Sequence, residues 1–346
     1  MEIVNILNKY QVYIGSKIIA DLSNFLSLDS YSKIIVIADE KVPDTFLKPY
    51  PKILISSGEI NKNIDTVQII WQRLLDLGAD RKTLVINLGG GVIGDMGGFA
   101  ASTYMRGIEF LQIPTTLLSA VDASVGGKVG IDFQGVKNLI GSFNQPIGVV
   151  IDVETFQSLP EREFISGFGE IIKHGIIAEE PYFKLVTSKK PQDFSNLELI
   201  EIIKRSCQIK AQIISSDEKE LGSRKLLNFA HTIGHALESA SLTTGSPLLH
   251  GEAVSIGMIA EAKLSQELGL INENVLEEIK ESLVNAGLPV KTSLKDIDLL
   301  ISLISKDKKS DGGKINWTLI KGIGEAVINQ TVDEQKVRTA LAFIQD

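Results

Sequence analysis

Thr83-Leu84-Val85-Ile86-Asn87-Leu88 leads directly into Gly89-Gly90-Gly91-Val92-Ile93-Gly94-Asp95. The first six residues have the character of a buried strand, and the next seven match G-x-G-x-x-G where a strand hands over to a helix. Glycine there permits a tight turn and close backbone approach to a pyrophosphate, and the N-terminus of the following helix favours negative charge. Working outward, Lys33-Ile-Ile-Val-Ile-Ala38 is another apolar run, closed by Asp39, and Ile53-Leu-Ile55 is a shorter one. Glu109-Phe-Leu-Gln-Ile113 and Val149-Val-Ile151 complete the set. Between them, Thr66 to Leu77 carries Val67, Ile70, Trp71, Leu74 and Leu75 at helical spacing, and Gly78 ends it. Strands alternating with helices predict an α/β doubly wound sheet. Two features depart from the usual dinucleotide fingerprint. The glycine motif is not in the first strand–helix unit, and the carboxylate suited to a ribose, Asp39, closes an earlier strand.

After about Pro160 the texture changes. Phe164–Ile177, Leu197–Ser215, Leu226–Ala240 and Glu252–Leu268 all carry helical periodicity, and Lys314-Ile-Asn-Trp-Thr-Leu-Ile320 reads as an isolated strand or hairpin. The expected organisation is therefore a Rossmann-like N-terminal domain over residues 1–160 and a mostly α-helical domain over 161–346. A formal charge of −8, from 35 basic and 43 acidic residues, argues against a nucleic-acid binder but leaves room for an anionic small substrate. Cys207 is the one cysteine, which excludes an internal disulfide and a cysteine-based zinc site and fits a reducing compartment. The N-terminal stretch does not read as a signal peptide, and no apolar run reaches membrane-spanning length, so the cytoplasm is the expected location.

Three of the four histidines fall between positions 231 and 250, in Asn228-Phe-Ala-His231-Thr-Ile-Gly-His235-Ala-Leu-Glu238 and Leu249-His250-Gly-Glu252. Imidazole binds transition metals and moves protons near neutral pH. Zinc needs three or four ligands, and His231, His235, His250, Glu170, His174 and Glu252 are the candidates; spacing alone does not choose among them. Gly169-Glu170-Ile-Ile-Lys173-His174 lies in a helical pattern, so Glu170, Lys173 and His174 share a face amid apolar neighbours. Arg224, Asn228 and His231 are four and three apart and line one stripe of the same kind. A second glycine-rich run, Val121-Asp122-Ala-Ser124-Val-Gly126-Gly127-Lys128-Val-Gly130, is followed by Lys137-Asn138; backbone N–H groups and lysines together make an anion site. Ser57-Gly58-Glu59-Ile-Asn-Lys62 and Lys306-Asp307-Lys308-Lys309 read by themselves as solvated charged turns.

Taken in order, eight motifs resemble the 3-dehydroquinate synthase family. They are Gly89–Asp95, Tyr104-Met-Arg106-Gly, Pro114-Thr-Thr-Leu-Leu118, Val121–Lys128, Lys137-Asn-Leu-Ile-Gly141, Gly169–Lys173, Leu227–His235 and Leu249-His-Gly-Glu-Ala253. The likeness runs from about Lys33 to Gly322. It implies a Rossmann-like NAD domain followed by a helical metal and substrate domain. It implies Glu170, His231 and His250 as ligands of zinc or cobalt, with His235 in the substrate pocket instead. NAD contacts are implied for Asp39, Ser57, Gly58, Glu59, Ile60, Asn61, Lys62, Gly91, Val92, Ile93, Gly94, Asp95, Thr115, Thr116, Lys128, Lys137, Thr155, Phe156, Gln157 and Ser158. Substrate contacts are implied for Asp122, Lys128, Asn138, Lys173, Lys210, Arg224, Asn228, His235 and one lysine of the Asp307-Lys308-Lys309 turn, Lys308 or its neighbour. Arg106 would reach the substrate phosphate of a neighbouring subunit, which implies a homodimer. The sequence departs from the family pattern at Gly222-Ser223-Arg224, Gly169-Glu170, Ala230-His231 and Lys128-Val129, none of which removes a side chain given a role.

The implied activity is conversion of 3-deoxy-D-arabino-heptulosonate 7-phosphate to 3-dehydroquinate and phosphate, a lyase step of the shikimate pathway to chorismate and the aromatic amino acids. It proceeds by transient oxidation with NAD, phosphate elimination, re-reduction and intramolecular aldol closure. A substrate bearing a carboxylate and a phosphate accounts for the lysines and arginines singled out in an acidic chain. Two rivals share the metal and NAD sites: a polyol dehydrogenase and another sugar-phosphate cyclase. A third is an inactive NAD- or metal-binding regulator.

Overall fold

The computed structural model describes residues 1–56, 58–134, 136–217, 222–242, 244–307 and 315–346. The chain divides into two compact units, Met1–Pro160 with Asn196–Ala211, and Glu161–Ser195 with Gln212–Asp346. The strands of the first unit are β1 (Glu2–Ile6), β2 (Tyr10–Gly15), β3 (Lys33–Asp39), β4 (Lys52–Ile55), β5 (Thr83–Gly89), β6 (Phe110–Pro114), β7 (Lys128–Phe133), β8 (Val136–Phe143) and β9 (Gly148–Asp152). Seven of them form one sheet in the order β1-β2-β9-β6-β5-β3-β4, parallel throughout except for the β1–β2 hairpin at one edge. This is the Rossmann-like α/β arrangement expected from the alternation of strands and helices. β5 lies inside the sheet between β6 and β3, and all seven of its residues are buried. From β3 the chain goes to β4 on one side and returns to β5 on the other, with Ala38 paired to Leu88. The sheet therefore reverses its winding between β3 and β5, the place where doubly wound sheets bind ligands beyond the carboxyl ends of their strands.

α1 (Ile64–Asp76) buries Val67, Ile70 and Leu74 on one sheet face, and Asn63 caps it by accepting from the Thr66 N–H at 3.0 Å. α2 (Gly91–Thr103) comes close to the sheet and to β7 because two of its buried positions, among Ile93, Met96, Phe99 and Ala100, are glycine. A Cβ on Gly97 would stand 2.0 Å from Asn87 Oδ1, and one on Gly98 2.5 Å from a Val129 methyl. The glycine-rich run read after Val121 opens with a π turn at Ser119–Ala123 and continues into a separate hairpin, β7–β8. That hairpin has no clean apolar–polar alternation, since β8 is almost wholly exposed.

The second unit holds α3 (Glu161–Ala178), α4 (Glu180–Val186), α6 (His231–Ser241), α7 (His250–Glu267), α8 (Glu273–Asn285), α9 (Ile297–Asp307) and α10 (Glu334–Phe343), with a hairpin of β10 (Trp317–Gly322) and β11 (Glu325–Gln330). α5 (Asn196–Ser215) contributes residues 196–211 to the first unit. The expected single helix over Leu226–Ala240 is broken. A 3-10 turn covers Ser223–Asn228, Ala230 takes a left-handed conformation (φ 71°, ψ −12°), and α6 starts at His231. The stripe through Arg224, Asn228 and His231 does not exist as one helical face, because Ala230 redirects the backbone between its second and third members.

Candidate active site

Within the second unit, two close approaches bring the candidate ligands together. Gly169 of α3 meets Gly251 of α7 so tightly that a Cβ on Gly251 would lie 1.8 Å from the Ser166 carbonyl oxygen. Gly257, two turns along α7, lets that helix approach α6, where a Cβ would sit 2.2 Å from the Ala230 carbonyl oxygen. Glu170, His231 and His250 are sequence neighbours of these contact points. Their ligand atoms converge within 4.8 Å of one another. Nε2 of His231 and Nε2 of His250 stand 3.4 and 3.5 Å from Oε1 of Glu170. These separations exceed the 2.7–2.9 Å of about normal charge-assisted hydrogen bonds. Glu170 is fully buried, and Oε1 accepts no hydrogen bond. A buried carboxylate oxygen facing two imidazole nitrogens, with no hydrogen bond of its own, is the donor set a zinc-like cation requires.

The opposite ring edges are also held. His231 Nδ1 donates to the Phe229 carbonyl at 3.1 Å, and His250 Nδ1 lies 3.2 Å from Oε2 of Glu238. Both rings thereby point Nε2 at Glu170. His235 sits beside them, its ring centroid 5.0 Å from that of His231 and 5.9 Å from that of His250. Lys173, also buried, places its ammonium 2.5 Å from Oε2 of Glu170 and donates to the Leu227 carbonyl at 2.9 Å, which ties α3 to the turn bearing Arg224 and Asn228. Burial would raise the Glu170 carboxyl, but Lys173, His231 and His250 outweigh it and hold the group well below its usual range. Burial and then the Lys173 charge hold His231 well below the ordinary imidazole value. Burial also opposes charge on His250, yet the Glu170 and Glu238 carboxylates raise it to about 10.

Two carboxylates on α6 and α7 carry functions that sequence reasoning missed. Glu261 of α7 is buried and accepts from the N–H groups of Ala230 (2.7 Å) and Ile233 (3.1 Å), so it caps α6 in place of an N-terminal side chain and fixes the start of the helix at His231. Only its place as the one charged residue of Ala253–Ala262 marks it in the sequence. Glu238 lies two helical turns after His231, but its partner is His250 at the start of α7, a contact between helices that no helical spacing announces.

In the first unit, the residues singled out for a dinucleotide follow the carboxyl ends of parallel strands. Asp39 ends β3. Gly58 (φ 104°) and the short turn Glu59–Asn61 follow β4, with Lys62 buried behind them. Gly91, Val92, Ile93, Gly94 and Asp95 form the first turn of α2 after β5, and Gly90 caps it without a side chain, leaving the helix N-terminus open. Thr115 and Thr116 follow β6, with the Thr115 N–H bonded to the Gly89 carbonyl at 2.9 Å. Thr155, Phe156, Gln157 and Ser158 lie in the 3-10 turn after β9. The Lys62 ammonium bridges Asp95 (2.6 Å) and the side-chain oxygen of Asn138 (2.5 Å), joining the α2 turn to the β7–β8 hairpin that carries Lys128 and Lys137. The Lys210 ammonium is held by the carboxylate and carbonyl of Asp122, the latter at 2.6 Å, on the π turn. Arg106 lies in a short turn after α2, with φ 71°. Ser57 and Lys308 lie outside the described residues, as does Lys309.

A parallel sheet that reverses beneath an open helix N-terminus, with a helical unit holding an imidazole–carboxylate cluster, defines an α/β enzyme class built for a nucleotide and a metal. Two solved structures share this fold. One is a 2-deoxy-scyllo-inosose synthase complexed with carbaglucose-6-phosphate, NAD+ and Co2+ (26% identity, TM-score 0.86, 96% of each chain covered). The other is a 2-epi-5-epi-valiolone synthase from Streptomyces hygroscopicus subsp. jinggangensis 5008 with NAD+ and Zn2+ bound (26% identity, TM-score 0.87, covering 99% of this chain and 98% of that one). The family profiles "3-dehydroquinate synthase N-terminal" and "3-dehydroquinate synthase C-terminal" match residues 52–166 and 167–310. The 3-dehydroquinate synthase of Alkaliphilus metalliredigens (strain QYMF) is 42% identical over 332 residues, covering 92% of this chain and 91% of that protein. The chain belongs to the 3-dehydroquinate synthase family.

Proposed function

We propose that this protein is a 3-dehydroquinate synthase, a lyase that converts 3-deoxy-D-arabino-heptulosonate 7-phosphate to 3-dehydroquinate and phosphate with NAD and a divalent cation, zinc or cobalt. The observation that carries this reading is the convergence of Glu170, His231 and His250 on one point beside the buried Lys173, in a chain that matches the family along most of its length. Glu170, His231 and His250 hold the cation. Residues 1–160 supply the NAD site through the strand-end residues from Asp39 to Ser158, and residues 161–346 supply most of the metal and substrate site. NAD held at the strand ends would supply reversible hydride removal at the substrate alcohol, and a cation held by Glu170, His231 and His250 would supply polarisation of its oxygens.

The chain's own residues bind and orient. Lys173, Lys210, Arg224, Lys128 and a lysine of the Lys308-Lys309 pair supply positive charge to a substrate with a carboxylate and a phosphate. Arg suits bidentate recognition and Lys point-charge contact. Asp122, Asn138, Asn228 and His235 supply hydrogen-bonding partners for its hydroxyls. The leaving phosphate takes the neighbouring carbon-bound proton itself, so the protein needs few strong bases; its contribution is position and electrostatics.

The protein works as a homodimer with Arg106 reaching the partner's substrate phosphate. Supporting this, Phe133, Val136, Leu139, Ile140 and Phe143 of the β7–β8 hairpin and Met105 beside Arg106 are all exposed, an apolar surface suited to a subunit interface. Among the described residues, no helix is long and apolar enough to cross a membrane. A buried lone thiol, Cys207, pushed up to about 12 by burial, fits the reducing cytoplasm.

The deciding assay is phosphate release from the heptulosonate phosphate with catalytic NAD. The expected result is many turnovers per NAD with no build-up of NADH. Stoichiometric NADH accumulation would identify a dehydrogenase instead. His250→Ala is expected to lose the metal while still binding NAD.

A further inference from the structure

His250 is the first residue of α7, and its side chain is 24% exposed. The loop before it is exposed over Thr244 to Pro247 and half-buried at Leu248 and Leu249. What the structure provides on the Nδ1 side of the ring is Glu238. Its carboxylate stands 3.2 Å from Nδ1, and its side chain is 14% exposed. An imidazole that binds a cation through Nε2 carries its proton on Nδ1, and that proton needs an acceptor to fix both tautomer and ring plane. His231 uses a neutral acceptor, the Phe229 carbonyl. His250 uses a carboxylate, which is the stronger acceptor and makes Nε2 the better donor to a metal. Glu238 faces the far edge of the ring from the point where Glu170, His231 and His250 converge, so it is not itself placed as a ligand of that point.

We infer that Glu238 is a positioning residue: it locks the Nδ1–H form of His250 and aims Nε2 at the cation shared with Glu170 and His231. This rests on the reading of those three residues as the metal site. The test uses the full-length protein, stripped with a chelator and titrated with Co2+ and, in competition with a chromogenic chelator, with Zn2+. Glu238→Ala is expected to weaken metal affinity roughly ten- to a hundredfold and to shift the visible Co2+ absorption. Glu238→Gln, whose amide oxygen still accepts from Nδ1–H, is expected to restore the native Co2+ spectrum and most of the affinity. NAD affinity should stay at its native value in both variants, and in the chelated protein Glu238→Ala should lower the unfolding midpoint only modestly, through loss of the His250 partner, with Glu238→Gln recovering part of that drop. Native affinity and spectrum in Glu238→Ala would overturn the inference. So would a loss that Glu238→Gln fails to recover and that comes with a matching drop in unfolding midpoint, which would make Glu238 a purely structural residue. Normal metal content in His250→Ala would overturn the ligand reading itself.

Discussion

At the residue scale, Ala230 shows how a rule can be broken cheaply. It holds φ 71°, a backbone conformation that favours glycine, and its side chain is fully buried. A left-handed alanine costs about 1–2 kcal/mol. Glycine would relieve that, but it would forfeit about 0.8 kcal/mol of methyl burial and about 0.5–1 kcal/mol of chain entropy. The terms nearly cancel, so Ala230→Gly should change unfolding stability by less than about 0.5 kcal/mol. Ala230→Val adds branching to the same strained backbone and should cost about 2 kcal/mol or more in a denaturant titration. Equal stability of the two variants would sink this account. Asp95 offers a pH signature. Burial pushes its carboxyl up to about 6 against the pull of Lys62. A folded value above the unfolded one means a stability contribution that is complete below the unfolded value and is lost as pH rises through about 6. Asp95→Asn lacks this titration. In the cofactor-free protein, the stability of native over Asp95→Asn should therefore fall as pH rises through that window. A difference that grows with pH would mean that Lys62 wins over burial.

At the element scale, the proposed metal site depends on helices that approach more closely than ordinary side chains allow. A Cβ on Gly251 would stand 1.8 Å from a backbone oxygen of α3, which has no flexible end to yield. Gly251→Ala should push α3 and α7 apart, cost about 1–3 kcal/mol and separate Glu170 from His250. Unfolding and metal titration would both register it, whereas Gly245→Ala, with nothing within 4 Å of the added atom, should leave both unchanged. Native metal affinity in Gly251→Ala would show that the crossing does not set the site. What the sequence disclosed follows the same physics. The β5–glycine–α2 transition was legible because local composition dictates a strand, a turn and a helix. The histidine cluster was legible because histidine is rare in this chain. The β7–β8 hairpin was not, since an exposed strand lacks the alternation that burial imposes. The break at Ala230 was also hidden: apolar periodicity runs on across Leu226–Ala240, and alanine ordinarily favours a continuing helix. Glu261 stabilises that break from thirty-one residues away, a long-range contact that no local pattern announces.

At the scale of the whole molecule, the sheet order explains why the fingerprint looked displaced. Only the long-range pairing of β3 with β5 sets Asp39 beside the glycine turn, although the two are separated by β4 and α1 in the chain. The same scale holds the question of where Arg106 acts. If it serves the partner's site, each active site needs Arg106 from one chain and His250 from the other. Arg106→Ala and His250→Ala homodimers should both be nearly inactive. A heterodimer of the two variants contains one site that takes a native Arg106 from the His250→Ala chain and a native His250 from the Arg106→Ala chain. Random association of equal amounts makes half the dimers mixed, each with one of two sites intact, so coexpression should restore about a quarter of native phosphate release. If Arg106 acts within its own chain, the mixed dimer contains no intact site and coexpression restores nothing. Sedimentation of the native protein as a monomer would remove the premise altogether. A charged substitution on the hairpin, Leu139→Asp, gives the complementary reading: it should dissociate the dimer and take activity down with it, although Leu139 lies in neither the NAD nor the metal residues.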